Sequence, residues 1–234
     1  MTPPLWLLRH LTPCLVAVAA AAAMPPRAMA ADALCDRGRA QSPIDIVATR
    51  KQALPPLQFQ YRSTPLRLVN DGHTVRVRFA ADSRLLIGPR VHRLQQFHFH
   101  MPAGDRVQGE EFPLGMHFLH KDDSGRLVSL VVLFRLGAEH AALGRLLPHL
   151  PQPGAGERVA GAAVDATQFL PDSHAYYRYE GSLTAPPCTE GVLWLVMKQP
   201  LELSAAQLAR LRQAFPGQSR PVQPLHGRVV LEGP

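Results

Sequence analysis

Apolar and polar positions alternate through much of the middle of the chain. Residues 66–69 (Leu-Arg-Leu-Val) and 74–79 (Thr-Val-Arg-Val-Arg-Phe) repeat with period two, the mark of half-buried strands. Asn70-Asp71-Gly72 between them supplies the turn chemistry of a hairpin. Further strands are predicted over 84–87, 93–100, 114–120, 127–134 and 192–197. The run 127–134 is almost continuously apolar, which predicts burial on both faces. Helical periodicity is sparse. Residues 138–147 carry a modest apolar stripe. Residues 204–215 carry a better one: Ser204 and Gln207 form a capping box, and Leu208, Leu211 and Phe215 share a face. The expected fold is mainly β (α+β), a large twisted, mostly antiparallel sheet with a few peripheral helices.

The first thirty residues do not fit that pattern. A weakly basic start at Arg9 and His10 leads into an Ala/Val/Leu-rich run over 11–24, and Ala28-Met29-Ala30 gives the small-x-small pattern of a cleavage site. The run is too short and too broken by proline for a permanent span. We expect residues 1–30 to be a signal peptide and residues 31–234 a single domain in the periplasm or outside the cell, with no membrane span after cleavage. Cys14 falls within the leader, so Cys35 and Cys188 form an even pair in an oxidising space, most simply a disulfide. The formal net charge is +7, yet the arginines alternate with apolar residues instead of clustering. Solvated strand faces account for that spacing, and nucleic acid is not an expected partner.

Candidate chemistry centres on histidine. In Gln96-Phe97-His98-Phe99-His100, strand periodicity puts His98 and His100 on one face and the two phenylalanines on the other. An antiparallel return through Gly115-Met116-His117 would bring a third imidazole alongside. Three neutral nitrogens so placed suit a tetrahedral zinc ion with one open position. A His-x-His pair by itself is also what packing or surface histidines produce. His120 has the opposite parity to His117 and is expected to face away.

With these residues assembled, the chain resembles the α-class carbonic anhydrases along nearly its whole length after the leader. Gln41-Ser42-Pro43-Ile44-Asp45-Ile46, Asn70-Asp71-Gly72-His73-Thr74-Val75, the two histidine strands, residues 182–191 (Ser-Leu-Thr-Ala-Pro-Pro-Cys-Thr-Glu-Gly) and 220–225 (Arg-Pro-Val-Gln-Pro-Leu) occur in the family's order. The resemblance implies zinc on His98, His100 and His117, with Gln96 orienting His98. It implies that Thr184 aims a zinc-bound hydroxide at CO2, that Leu183 and Trp194 line the apolar substrate pocket, and that His73 passes protons to solvent. A histidine there would otherwise simply end a hairpin turn. It also matches Cys35 and Cys188 to the disulfide of extracellular members. The implied reaction is reversible hydration of CO2 to bicarbonate and a proton, in which, as is known for the family, zinc makes bound water acidic enough to ionise near neutral pH.

Three departures qualify it. Gly104 stands where the family has the glutamate that accepts a hydrogen bond from the active-site threonine, and strand parity argues against Asp105 replacing it. Gly115 stands where a glutamate supports the third histidine, a loss that typically weakens metal affinity or activity roughly 10–100-fold. The segment before Cys35 lacks the family's Trp- and Tyr-rich stretch, and Ala185 replaces a common threonine or histidine. Reduced catalysis is therefore expected, restorable by glutamate at 104 and 115. The alternative is a zinc-bearing binding module of the same fold with little or no catalysis.

Overall fold

The computed structural model describes residues 34–80, 82–217 and 219–233. The leader read at residues 1–30, Cys14 included, lies outside the described residues. Along the chain come β1 (Asp45–Ile46), β2 (Thr49–Lys51), β3 (Leu57–Gln60), β4 (Thr64–Asn70), β5 (Val75–Arg78) and β6 (Arg84–Ile87). Next are β7 (Arg90–His100), β8 (Arg106–Val107), β9 (Glu110–Glu111), β10 (Leu114–Lys121) and β11 (Leu127–Leu136). The C-terminal part adds α1 (Ala141–Leu146), β12 (Arg158–Val164), β13 (Tyr176–Ser182), β14 (Glu190–Met197), β15 (Leu201–Leu203), α2 (Ala205–Ala214) and β16 (Val230–Glu232).

The large sheet runs β12-β4-β5-β7-β10-β11-β14-β13-β16-β2, with β6 on β7, β3 on β6 and β15 on β11. Its ladders are antiparallel from β12 through β11, whereas β11–β14 and β16–β2 are parallel. The expected hairpin is present as β4–β5, pairing Asn70 with Val75. β11, the apolar run, lies at the sheet's centre and is buried from Val128 to Phe134. Its side chains divide by parity between the two faces: Val128, Leu130, Val132 and Phe134 enter the larger core, Val131 and Leu133 the smaller one.

α2 packs Leu208, Leu211 and Phe215 into the larger core, and both arms of its Ser204–Gln207 capping box are made. α1 is shorter than its stripe suggested. His140 caps it, accepting from the Leu143 N–H at 3.2 Å, and after Leu146 the chain tightens into a 3₁₀ turn containing Pro148. Strands β12 and β13 were not anticipated. In β13 Tyr176 enters one core and Tyr179 the other, so both faces are covered and simple alternation is lost. No helix among the described residues is long and apolar enough to cross a membrane.

Candidate metal centre

β7 carries two opposite demands along its length. Near its start His92 and Leu94 are buried in the direction of the larger core, and further on Phe97 and Phe99 are buried there too. A three-residue step from Leu94 to Phe97 on one face requires an extra residue. The β7–β10 ladder supplies it, passing from Leu119↔Gln96 to His120↔Leu94 and leaving Gln95 as a bulge. Beyond that bulge His98 and His100 turn to the smaller core. On β10 His117 lies directly opposite His98, and Gly115 opposite His100.

The three imidazoles meet. Their candidate ligand atoms all lie within 4.8 Å of one another, and ring centroids are 4.9, 5.3 and 4.5 Å apart. His98 Nδ1 is 3.1 Å from Gln96 Oε1; donating that proton leaves Nε2 as a lone pair, which faces His100 Nε2 at 3.1 Å. Nitrogens bound tetrahedrally to zinc stand about 3.3 Å apart. His117 is only 3% exposed, and its Nε2 is buried with no hydrogen-bond partner among the described residues. Converging lone pairs and an orphaned buried nitrogen fit a cation better than they fit a set of packing histidines. Burial first, then the charge of His100 and Arg76, pushes the His98 pKa well below the ordinary imidazole value. Burial first, then His100 and His98, does the same for His117, opposed by the Ala103 carbonyl. Both rings are held neutral, the form that binds metal. His120 faces the other way, buried in the larger core with Nε2 2.7 Å from the Tyr61 hydroxyl.

Of the other expected residues, Trp194 and Thr184 adjoin this cluster. Trp194 sets its ring edge-on to His117, centroids 5.3 Å apart, and its indole N–H donates to the Ser182 carbonyl at 3.0 Å. Leu183 packs on the smaller core. Thr184 shares a recess with His100, His117, Ala103 and Gly104. His73 is exposed at the hairpin turn, where Asp71 Oδ1 accepts the N–H groups of His73 and Thr74 at 2.9 Å each. Asp71 also pairs with Arg76, which stands opposite His98 on β5. Burial pushes the Asp71 pKa up, but the two N–H groups and Arg76 outweigh it and hold it below the usual value.

The motifs without obvious chemistry clamp this recess together. Cys35 and Cys188 are bonded. Ser42 N–H donates to Ser182 Oγ at 3.0 Å, and Ser182 N–H donates back to Ser42 Oγ at 3.1 Å. Arg220 donates to Gln41 Oε1, Ser42 O and Cys35 O.

The two glycine departures prove to be one structural event. A Cβ on Gly115 would lie 2.9 Å from both Cα and Cβ of Ala103 and 3.1 Å from its carbonyl oxygen. Backbone of the 102–105 loop therefore occupies the space a Gly115 side chain would need. Gly104 holds that loop at φ +93°, where a side chain is strained, and its Cβ would meet Pro43 Cγ at 3.2 Å. Glutamate at these positions consequently cannot be restored on the present backbone; the loop would have to move first. Asp105 turns away from Thr184: its Oδ1 accepts from the Ile44 N–H at 3.0 Å and the Tyr179 hydroxyl at 2.8 Å. Sequence reasoning missed Ala103, Arg76 and Val131, which pairs with His117 across β10–β11. For Val131 the signal was present, since odd-numbered positions of β11 face the histidines.

Comparison with known proteins identifies the family and the fold. The sequence profile of eukaryotic-type carbonic anhydrase matches residues 28–233. A carbonic anhydrase of Klebsiella pneumoniae is 41% identical over 203 residues, covering 85% of this chain and 82% of its own. The solved Photobacterium profundum α-carbonic anhydrase superimposes with a TM-score of 0.82 at 38% identity, covering 86% of this chain and 92% of that one. A dioscorin crystallised with ascorbate superimposes with a TM-score of 0.80 at 35% identity, covering 85% and 87%. The chain thus belongs to the eukaryotic-type carbonic anhydrases, enzymes whose general reaction is the reversible hydration of CO2.

Proposed function

We propose that this chain hydrates CO2 reversibly with a zinc ion held by His98, His100 and His117, at an efficiency reduced by its altered 102–105 loop. The observation that carries this reading is the convergence of three imidazoles, one with an orphaned nitrogen, beside Thr184 and Trp194. Zinc there would supply the Lewis acidity that makes water a nucleophile near neutral pH. Gln96 fixes the His98 tautomer so that Nε2 is presented to the ion. The Thr184 hydroxyl orients the attacking oxygen. Without a carboxylate at 104 to accept its hydrogen bond, that hydroxyl is less firmly aimed, and without one at 115 His117 loses a supporting partner. Leu183 and Trp194 exclude water from the side on which CO2 lies, and His73, on an exposed turn, carries the released proton to buffer.

The Klebsiella pneumoniae relative is a bacterial carbonic anhydrase, and the Cys35–Cys188 bond suits an oxidising compartment. We read residues 1–30 as an export signal and residues 31–234 as one domain acting in the periplasm or outside the cell on CO2 and bicarbonate.

A second reading is a zinc-bearing binding module with little catalysis. It is favoured by the glycines at 104 and 115 together with the likeness to dioscorin. Metal analysis and exchange with cobalt test the shared premise. One equivalent of zinc, and a tetrahedral cobalt spectrum abolished by His117→Ala, are expected; no stoichiometric metal would overturn both readings.

A further inference from the structure

On the sheet face away from the histidines, a recess of about 370 Å³ opens between the β6–β7 turn, the residue before β11, and strands β13 and β14. Its floor is apolar: Ile87 and Leu193 belong to the larger core, whereas the histidine cleft adjoins the smaller one. Its walls are cationic. Arg90, Arg126 and Arg178 line it, and among the described residues no acidic side chain does. Arg126 is ion-paired with Glu180 at 2.8 Å, outside the lining. Neither Arg90 nor Arg178 forms an ion pair among the described residues. His92 also lines the recess. It is 2% exposed, and its Nδ1 is buried with no hydrogen-bond partner among the described residues. Asp122 is near enough for its charge to act on that ring.

Three arginines that line one concavity bring like charge to it, and an apolar floor, by lowering the local dielectric, would strengthen any repulsion among them. Two neighbouring carboxylates, Glu180 on Arg126 and Asp122 near His92, neutralise only part of the charge. An anion seated among the arginines would offset the rest and receive forked, charge-assisted hydrogen bonds, the geometry in which arginine recognises carboxylates and phosphates. The His92 ring lines the recess with its Nδ1 buried, so it reports on an anion seated there without binding it through that nitrogen.

We propose that this recess binds a small oxyanion of the carboxylate or phosphate class, seated on Arg90, Arg126 and Arg178 and separate from the histidine cleft. The test is calorimetric titration of the zinc-loaded chain with inorganic phosphate, acetate and bicarbonate at constant ionic strength set with chloride. NMR of the His92 ring reports occupancy locally. Saturable binding of at least one of the three is expected, with the His92 resonances moving in step, and the oxyanion that binds most tightly identifies the source. Arg178→Gln and Arg90→Gln should each weaken binding about 10-fold or more, the size expected when a hydrogen bond to a charged group is lost. Arg90 is exposed, so its variant keeps the test open if Arg178→Gln fails to fold. Absence of saturable binding for all three anions overturns the proposal. So does binding unchanged in Arg90→Gln, or His92 resonances that stay fixed while an anion binds elsewhere.

Discussion

Asp105 is a carboxyl group the fold has sealed from water. It is 1% exposed, Oδ1 accepts from Ile44 N–H and Tyr179 Oη–H, and Oδ2 has no partner among the described residues. Burial raises its pKa from 3.8 to about 7, more than the two hydrogen bonds lower it. The folded state therefore holds a proton that the unfolded chain has released by pH 5. Stability contributed by this group is full below pH ~4, falls as pH rises towards 7, and is level above that, opposite in sign to an ion-paired carboxylate. At 1.36 kcal/mol per pH unit, the interval from pH 5 to about 7 corresponds to roughly 3 kcal/mol, an upper figure if the site relaxes or admits water on ionisation. Asp105→Asn keeps an oxygen acceptor for Ile44 and Tyr179 and cannot ionise. Urea unfolding of both proteins at pH 5 and pH 8 should show wild type losing about 2–3 kcal/mol more than the variant over that range. Equal losses in the two proteins would refute the reasoning.

Other outcomes follow from the same geometry. Gly115→Ala puts a Cβ 2.9 Å from the Ala103 Cα and should cost about 1–3 kcal/mol by overpacking, read as a lower urea midpoint; a change within ~0.5 kcal/mol would show that the loop yields freely. His73→Ala should lower kcat at least about 10-fold in weak buffer, leave kcat/KM unchanged and be rescued by added imidazole; kcat unaffected by buffer strength would remove His73 from proton transfer. Cys35→Ser opens a bridge spanning 153 residues and should lower stability by about 2–5 kcal/mol, measured by urea unfolding under oxidising conditions; an unchanged midpoint would show that the Ser42–Ser182 and Arg220 hydrogen bonds hold the Thr184 loop alone.

Local rules carried the sequence reading a long way. Period two placed His98 beside His100 and turned His120 away, and turn chemistry at Asn70-Asp71-Gly72 marked the β4–β5 hairpin. What escaped depends on contacts between distant segments. The bulge at Gln95, which lets His92 and Phe97 face the same core, leaves no composition signal. Gly115 read as a lost carboxylate, whereas in the fold it makes room for the Ala103 backbone twelve residues earlier. Asp105 was correctly set apart from Thr184, but its partners Ile44 and Tyr179 are supplied by chain 61 and 74 residues away. The arginine recess is likewise assembled from β7, the turn before β11, β13 and β14, and nothing in their separate sequences announces it.

Stopped-flow CO2 hydration, run on one zinc-loaded preparation beside His117→Ala, tests the central claim most directly. The account predicts a rate above buffer that tracks zinc content and disappears in the variant. A wild-type rate no higher than buffer at full zinc occupancy would contradict it and leave the binding-module reading in its place.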